Sequence, residues 1–135
     1  MSEPLGSHFT SLNAPLRNSR WSWGAEREDG VIILRVWQDQ RRAVDGRYFV
    51  RLTHHEAYAD DPDNLGYRER VGHVERIRGG ATAYAVMCTP RDKEARPRKV
   101  GSFDRRELIV IGELMDIDGN VWGEIAHRLP VSKVK

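Results

Sequence analysis

The run Val31-Ile32-Ile33-Leu34-Arg35-Val36-Trp37 decides how this chain folds. β-Branched and aromatic residues dominate it, which favours an extended strand. Alternate side chains of a strand point to opposite faces, so Val31, Ile33 and Trp37 share one face and Ile32, Leu34 and Val36 share the other. A strand apolar on both faces belongs in the middle of a sheet, covered on both sides.

Three turn signals organise the chain around that strand: Asp29-Gly30, Asp45-Gly46 and Asp118-Gly119-Asn120. Asp-Gly readily adopts the positive φ values of tight hairpins. The first joins residues 21–27 to 31–37, and the second joins that strand to 47–53, which together read as a three-stranded meander. The third joins 107–117 to 121–128 in a long hairpin. Residues 81–88 read as another strand, ended by Pro90, which cannot donate to a ladder.

One helix is expected. Asn64 suits an N-cap, Tyr67, Val71, Val74 and Ile77 recur at helical spacing, and Gly79-Gly80 ends the pattern. Arg68, Glu69, Arg70, Glu75 and Arg76 are assigned to its solvated face. Gly72 in mid-helix costs about 1 kcal/mol against alanine, which suggests a close packing contact there. The fold class expected is α+β: about six strands in a small β-barrel or strongly bent sheet, with one central amphipathic helix.

With 135 residues the chain fits one domain. Residues 1–16, polar and carrying Pro4 and Pro15, read as a flexible N-terminal arm, and 17–135 as the domain. A hydrophobic share of 39% and a charged share of 31% suit a folded soluble protein. No apolar run is long enough to cross a bilayer as a helix, and no secretory signal pattern is visible. The lone cysteine, Cys88, excludes an internal disulfide and fits a reducing cytoplasm. Net charge is only +2, so no global field demands a polyanion, yet eighteen of the twenty-two basic residues are arginine. Arginine matches phosphate and guanine edges in a way lysine does not, although high genomic GC content produces the same bias.

The stretch Asn18-Ser19-Arg20-Trp21-Ser22-Trp23-Gly24 carries two of the four tryptophans, one residue apart. In an extended segment Trp21 and Trp23 would form one aromatic wall, either filling the core or stacking a nucleobase at about 1–3 kcal/mol per base. The densest basic stretch runs from Arg91 through Lys93, Arg96, Arg98 and Lys99 to Arg105-Arg106. It reads either as an exposed connector or as a phosphate-contacting surface.

The order of strands, one amphipathic helix and a terminal hairpin resembles the PUA-like superfamily, which includes EVE, ASCH, YTH and SRA-type domains. The string Arg20-Trp21-Ser22-Trp23-Gly24, with 31–37 following and Gly119-Asn120-Val121-Trp122 near the end, is similar to bacterial proteins associated with restriction or HNH nucleases. The resemblance implies a non-enzymatic reader of DNA or RNA that takes one nucleobase, unmodified or modified, into an aromatic pocket. Trp21 or Trp23 would stack on the base, with Trp37 as a second wall or a core residue. Asn18, Ser22 and Asp104 would read its edge, unless Asp104 only caps a turn. Arg20, Arg91, Lys93, Arg96, Arg98, Lys99, Arg105 and Arg106 would hold phosphates. No HNH signature is present, so any effector nuclease would be a separate protein. No cofactor, metal or membrane partner is implied.

Two other classes compete. His54-His55-Glu56, with Asp60, Asp61, Asp63 and His73 nearby, suggests a metal-dependent hydrolase, although the spacing matches no metal signature. Tryptophan, tyrosine and arginine also suit a protein-interaction adaptor or inhibitor. Cys88 has apolar neighbours and nothing to activate it as a nucleophile.

Overall fold

A computed structural model of the chain describes residues 5–18, 22–53, 64–94 and 99–134. Within them, α1 (Leu5–Ser11) and α2 (Leu65–Arg78) accompany β1 (Gly24–Glu26), β2 (Ile32–Trp37), β3 (Arg41–Val44), β4 (Arg47–Arg51), β5 (Ala83–Pro90), β6 (Val100–Phe103), β7 (Glu107–Ile117) and β8 (Asn120–Pro130). The class is α+β. Among the described residues the sheet has eight strands rather than about six, the α-helices number two rather than one, and the sheet is not closed into a barrel.

The hydrogen-bonded order is β1-β2-β5-β7-β8-β4-β3, with β6 also paired to β5. β2 is apolar on both faces, as its sequence requires, and lies inside the sheet between β5 and the short edge strand β1 rather than at its middle. Ile32, Leu34 and Val36 enter one core with Val50, Leu52, Val74 and Ile77, while Ile33 enters a second core on the opposite face, with Val31 and Trp37 at its margin. Of the expected meander only the first hairpin forms, β1 pairing antiparallel with β2 across Asp29-Gly30 (Gly30 φ 88°). The turn at Asp45 (φ 51°) and Gly46 (φ 79°) joins β3 to β4, and β4 pairs with β8, not with β2. A 3-10 turn at Gln38–Gln40 breaks the extended chain after Trp37. The edge of β2 then goes to β5, which runs parallel to it with Ile32 opposite Ala83 and Trp37 opposite Cys88. A parallel pair needs a long crossover, and here β3, β4 and α2 supply it.

The long terminal hairpin of β7 and β8 is present, turning through Asp118 (φ 52°) and Gly119 (φ 82°). A register shift lies between Ile111, opposite Ile125, and Leu114, opposite Gly123. That bulge lets Ile111 and Leu114, three positions apart, both turn toward the first core.

α2 plugs the first core, and its start matches expectation: Asn64 Oδ1 accepts from the Tyr67 N–H at 3.1 Å. Its buried face differs. Gly66, Arg70, Val74 and Ile77 are buried, whereas Val71 is exposed. Arg70, expected in solvent, is only 4% exposed. Its guanidinium donates to the carbonyls of Leu52 (2.8 Å), Trp23 (2.9 Å) and Arg35. Arg35 lies on β2 and Leu52 just beyond β4, strands separated by three others in the sheet order. The sheet is therefore bent enough for one guanidinium to reach both. Beyond its own helix, no atom lies within 4 Å of where a methyl group on Gly72 would stand. The expected close contact is absent, and the residue faces solvent.

The second core corrects the reading of the N-terminal arm. Phe9, Leu12 and Ala14 are fully buried there, packed with Ile33, Val86, Cys88 and Leu108, and Val131 and Val134 close the same layer from the other end of the chain. A seven-residue helix is marginal alone, so α1 depends on this docking.

Candidate functional site

The Asn18–Trp23 segment is tied to α2 by one carboxylate. Glu69 Oε2 accepts from the Ser22 hydroxyl at 2.9 Å, and Glu69 Oε1 accepts from the Trp23 N–H at 3.0 Å. The Ser22 Oγ also accepts from the Asn18 N–H at 3.0 Å, and the Ser22 N–H donates to the Asn18 carbonyl at 2.9 Å. Ser22 is buried, and its hydroxyl is committed to this turn, which leaves it poorly placed to read a base edge. Glu69, assigned to solvent from sequence, is the residue that builds the turn. Trp23 is half-buried with the Arg70 guanidinium 5.8 Å from its ring centre. Arg20, Trp21, His54, His55, Glu56, Asp60, Asp61, Asp63, Arg96 and Arg98 lie outside the described residues.

A second aromatic group spans three adjacent strands. Trp37 on β2 is opposite Cys88 on β5, which is opposite Phe103 on β6. Trp37 and Phe103 are half-buried at the margin of the second core. The Arg35 guanidinium stands 5.3 Å from the Trp37 ring, and Arg105 stands 4.5 Å from Phe103. The His8 ring closes on Phe103 from α1 at 5.0 Å. Sequence reasoning missed Phe103; its signal was the adjacent Asp104-Arg105-Arg106, read for charge alone. Cys88 is fully buried, and that burial pushes its thiol up to about 12, which makes it inert as a nucleophile.

The structure divides the expected phosphate contacts into two groups. Arg91, Lys93 and Lys99 are exposed, and the Arg91 N–H donates to the Lys99 carbonyl at 2.8 Å, closing the loop between β5 and β6. Arg105 and Arg106 are exposed at the other end of β6, a four-residue strand about 10 Å long. Asp104 caps the turn between the groups: its Oδ1 accepts from the Arg106 and Glu107 N–H groups at 2.9 and 3.1 Å. Its other oxygen lies 4.0 Å from Arg128. The turn-capping alternative for Asp104 is the one the geometry matches.

A third group was not read from sequence. On β8, Trp122 has the guanidiniums of Arg42 and Arg51 at 5.9 and 5.7 Å from its ring centre. Nearby, Arg47 stands 5.3 Å from the Phe49 ring and pairs with Glu113 and Glu124 at 2.7 and 2.9 Å. Trp122 is separated from Arg42 and Arg51 by more than seventy residues of sequence, so no local pattern announces the group.

An open surface depression of about 430 Å³ is bounded by Asp29, Gly30, Val31, Arg76, Gly79, Ala81 and Thr82. No aromatic residue lines it, so it is not the expected base pocket. Among the described residues no group of three or more His, Cys, Asp and Glu is arranged to hold a metal ion. No helix among them is long and apolar enough to cross a membrane.

His73 on α2 has its imidazole pushed down to about 4 by burial, then by the charges of Arg70 and Arg76. The unfolded chain, with an ordinary histidine near 6.5, therefore binds the proton that the folded chain refuses between those values. Stability contributed by neutral His73 is present above pH 6.5 and falls as the pH drops toward about 4. His73→Gln is expected to flatten the dependence of urea-unfolding stability on pH across that window; an unchanged slope would assign the acid sensitivity to other groups.

No protein-family model, no curated protein and no solved structure matches this chain.

Proposed function

We propose that the protein binds single-stranded nucleic acid on a surface built from paired arginine and aromatic side chains. One observation carries this reading. Each tryptophan among the described residues has an arginine guanidinium within 6 Å of its ring: Arg70 at Trp23, Arg35 at Trp37, and Arg42 and Arg51 at Trp122. Flat rings stack on bases of any identity, and guanidiniums meet the phosphates between them. Trp37 and Phe103 form the best-placed platform, because the basic groups at both ends of β6 flank it. Stacking on a half-buried ring at a sheet margin suits an unpaired base better than a duplex. A reader of this kind works by adhesion along a strand, and needs no deep pocket for a single base.

Anisotropy titration of labelled single- and double-stranded DNA and RNA at two salt concentrations tests this. Single strands are expected to bind with an affinity that falls steeply with salt. Neutralising Arg91, Lys93 and Lys99 together to glutamine is expected to lower the slope of log affinity against log salt by about 2. Phe103→Ala is expected to weaken binding by about 1–3 kcal/mol, provided its melting transition survives. Absence of binding at low salt, or binding indifferent to salt, overturns the proposal.

A further inference from the structure

We propose that the open edge of β3 binds an extended, acidic segment of a partner protein as an added strand of the sheet. β3 ends the hydrogen-bonded order, with β4 on one side and no strand among the described residues on the other. Asp45 and Gly46, both at positive φ, form a two-residue hairpin loop, so Val44 and Arg47 are a hydrogen-bonded pair. Such pairs alternate along an antiparallel ladder, and the next is Arg42 with Phe49. The N–H and C=O groups of Arg41 and Ala43 therefore point away from β4, toward the free edge. Arg41, Arg42 and Ala43 are all exposed, so that edge is open to an incoming strand. Its alternating donors and acceptors fit another peptide backbone, whereas phosphate oxygens only accept.

The side chains along the edge state what that strand carries. Arg41 and Ala43 project to one face of the sheet and Arg42 to the other. Among the described residues no carboxylate is ion-paired with either arginine. Arg41 uses its Nε on the Gln38 carbonyl at 2.9 Å, and the Arg42 guanidinium lies 5.9 Å from the Trp122 ring centre. Both keep N–H donors for a carboxylate. Tyr48, opposite Ala43 on β4, stays 62% exposed because a methyl group is too small to cover its ring. An antiparallel partner strand therefore places an apolar residue opposite Ala43, beside Tyr48, followed by acids opposite Arg42 and Arg41. A second copy of this chain fits worse, because β3 paired with itself brings four arginines onto one short ladder, where like charges repel. The inference does not rest on the nucleic-acid reading or on the platform at Trp37 and Phe103.

The test is the backbone amide spectrum of the ¹⁵N-labelled full chain, titrated with a blocked octapeptide that carries the core Val-Glu-Glu among neutral polar residues. Two control peptides replace that core with Val-Lys-Lys or methylate the valine nitrogen, which removes the donor facing the Ala43 carbonyl. The acidic peptide is expected to move the Arg41 and Ala43 amide peaks saturably and to slow their hydrogen exchange. Both controls are expected to bind at least about tenfold more weakly. Ala43→Pro removes the outward N–H and takes no bond from the β3–β4 ladder, so it is expected to weaken the peptide about tenfold while oligonucleotide binding persists. Arg41→Glu, at an exposed position, is expected to weaken the peptide by a similar factor and tests the charge even if the proline variant fails to fold. Still β3 peaks, equal binding of the methylated peptide, or undiminished binding in the folded variants overturns the inference. The same peaks moving with protein concentration alone give the edge to a second copy, and oligothymidylate displacing the peptide from them gives it to nucleic acid. Either result overturns the inference.

Discussion

Arg70→Ala is expected to destabilise the fold by about 3–5 kcal/mol, measured by urea unfolding. The guanidinium is buried beneath α2 and donates to carbonyls in three separate segments: Trp23 before β1, Arg35 in β2 and Leu52 after β4. The Trp23 carbonyl keeps a second donor, the Arg35 N–H at 2.8 Å, but those of Leu52 and Arg35 lose the fork. Lysine is expected to recover little of the loss, since an ammonium has no planar fork with which to reach several carbonyls at once. Arg70→Met separates packing from hydrogen bonding, because it fills much of the volume while donating nothing. A methionine variant within about 1 kcal/mol of the parent would mean that water replaces the fork and that burial alone matters. Amide hydrogen exchange at Leu52, Thr53 and Trp23 is expected to accelerate in both variants, because Arg70 is where the two limbs of the bent sheet meet.

Phe9→Ala is expected to cost a similar amount, about 3–5 kcal/mol, although Phe9 lies in a segment whose composition suggests a loose arm. Its side chain is fully buried in the second core, beside Leu12 and Ala14 from the same segment. Losing the ring leaves a cavity against the outer face of β2 and β5, where Ile33 and Val86 pack. The helix it belongs to cannot persist undocked, so helicity by circular dichroism is expected to fall with stability. A loss below about 1 kcal/mol would show that α1 is detached in solution and that the second face of the sheet is covered only by the C-terminal residues. The result also bears on the proposed interface, because His8, next to Phe9, packs against the Phe103 ring at a tilt, with ring centres 5.0 Å apart. Undocking α1 is expected to loosen that ring and weaken oligonucleotide binding in parallel.

Part of the candidate site is legible before folding. The chemistry of Trp23, Trp37 and the basic groups at 91–99 and 105–106 marks them in the sequence, and Trp37 and Arg105 border one platform in the fold. Ser22 and Asp104 carry the same kind of mark and serve local turns instead. A polar side chain in a tight turn finds its partner among nearby backbone groups first, and its residue type alone does not reveal whether any capacity is left over. Arg42, Arg51 and Trp122 carry no signal as a group, because their neighbours come from distant strands.

By itself the sequence determined what short-range chemistry governs. The two apolar faces of β2, the positive φ of Asp45-Gly46 and Asp118-Gly119, and the Asn64 cap of α2 each follow from a few adjacent residues. Tertiary structure alone decided which strands pair, that β2 runs parallel to β5, that Arg70 turns inward, and that the N-terminal segment docks. The period of a strand or helix states which face is apolar but not which surface will cover it. A long arginine is placed inside only when carbonyls from remote segments converge to receive it, and that convergence exists only in the folded chain.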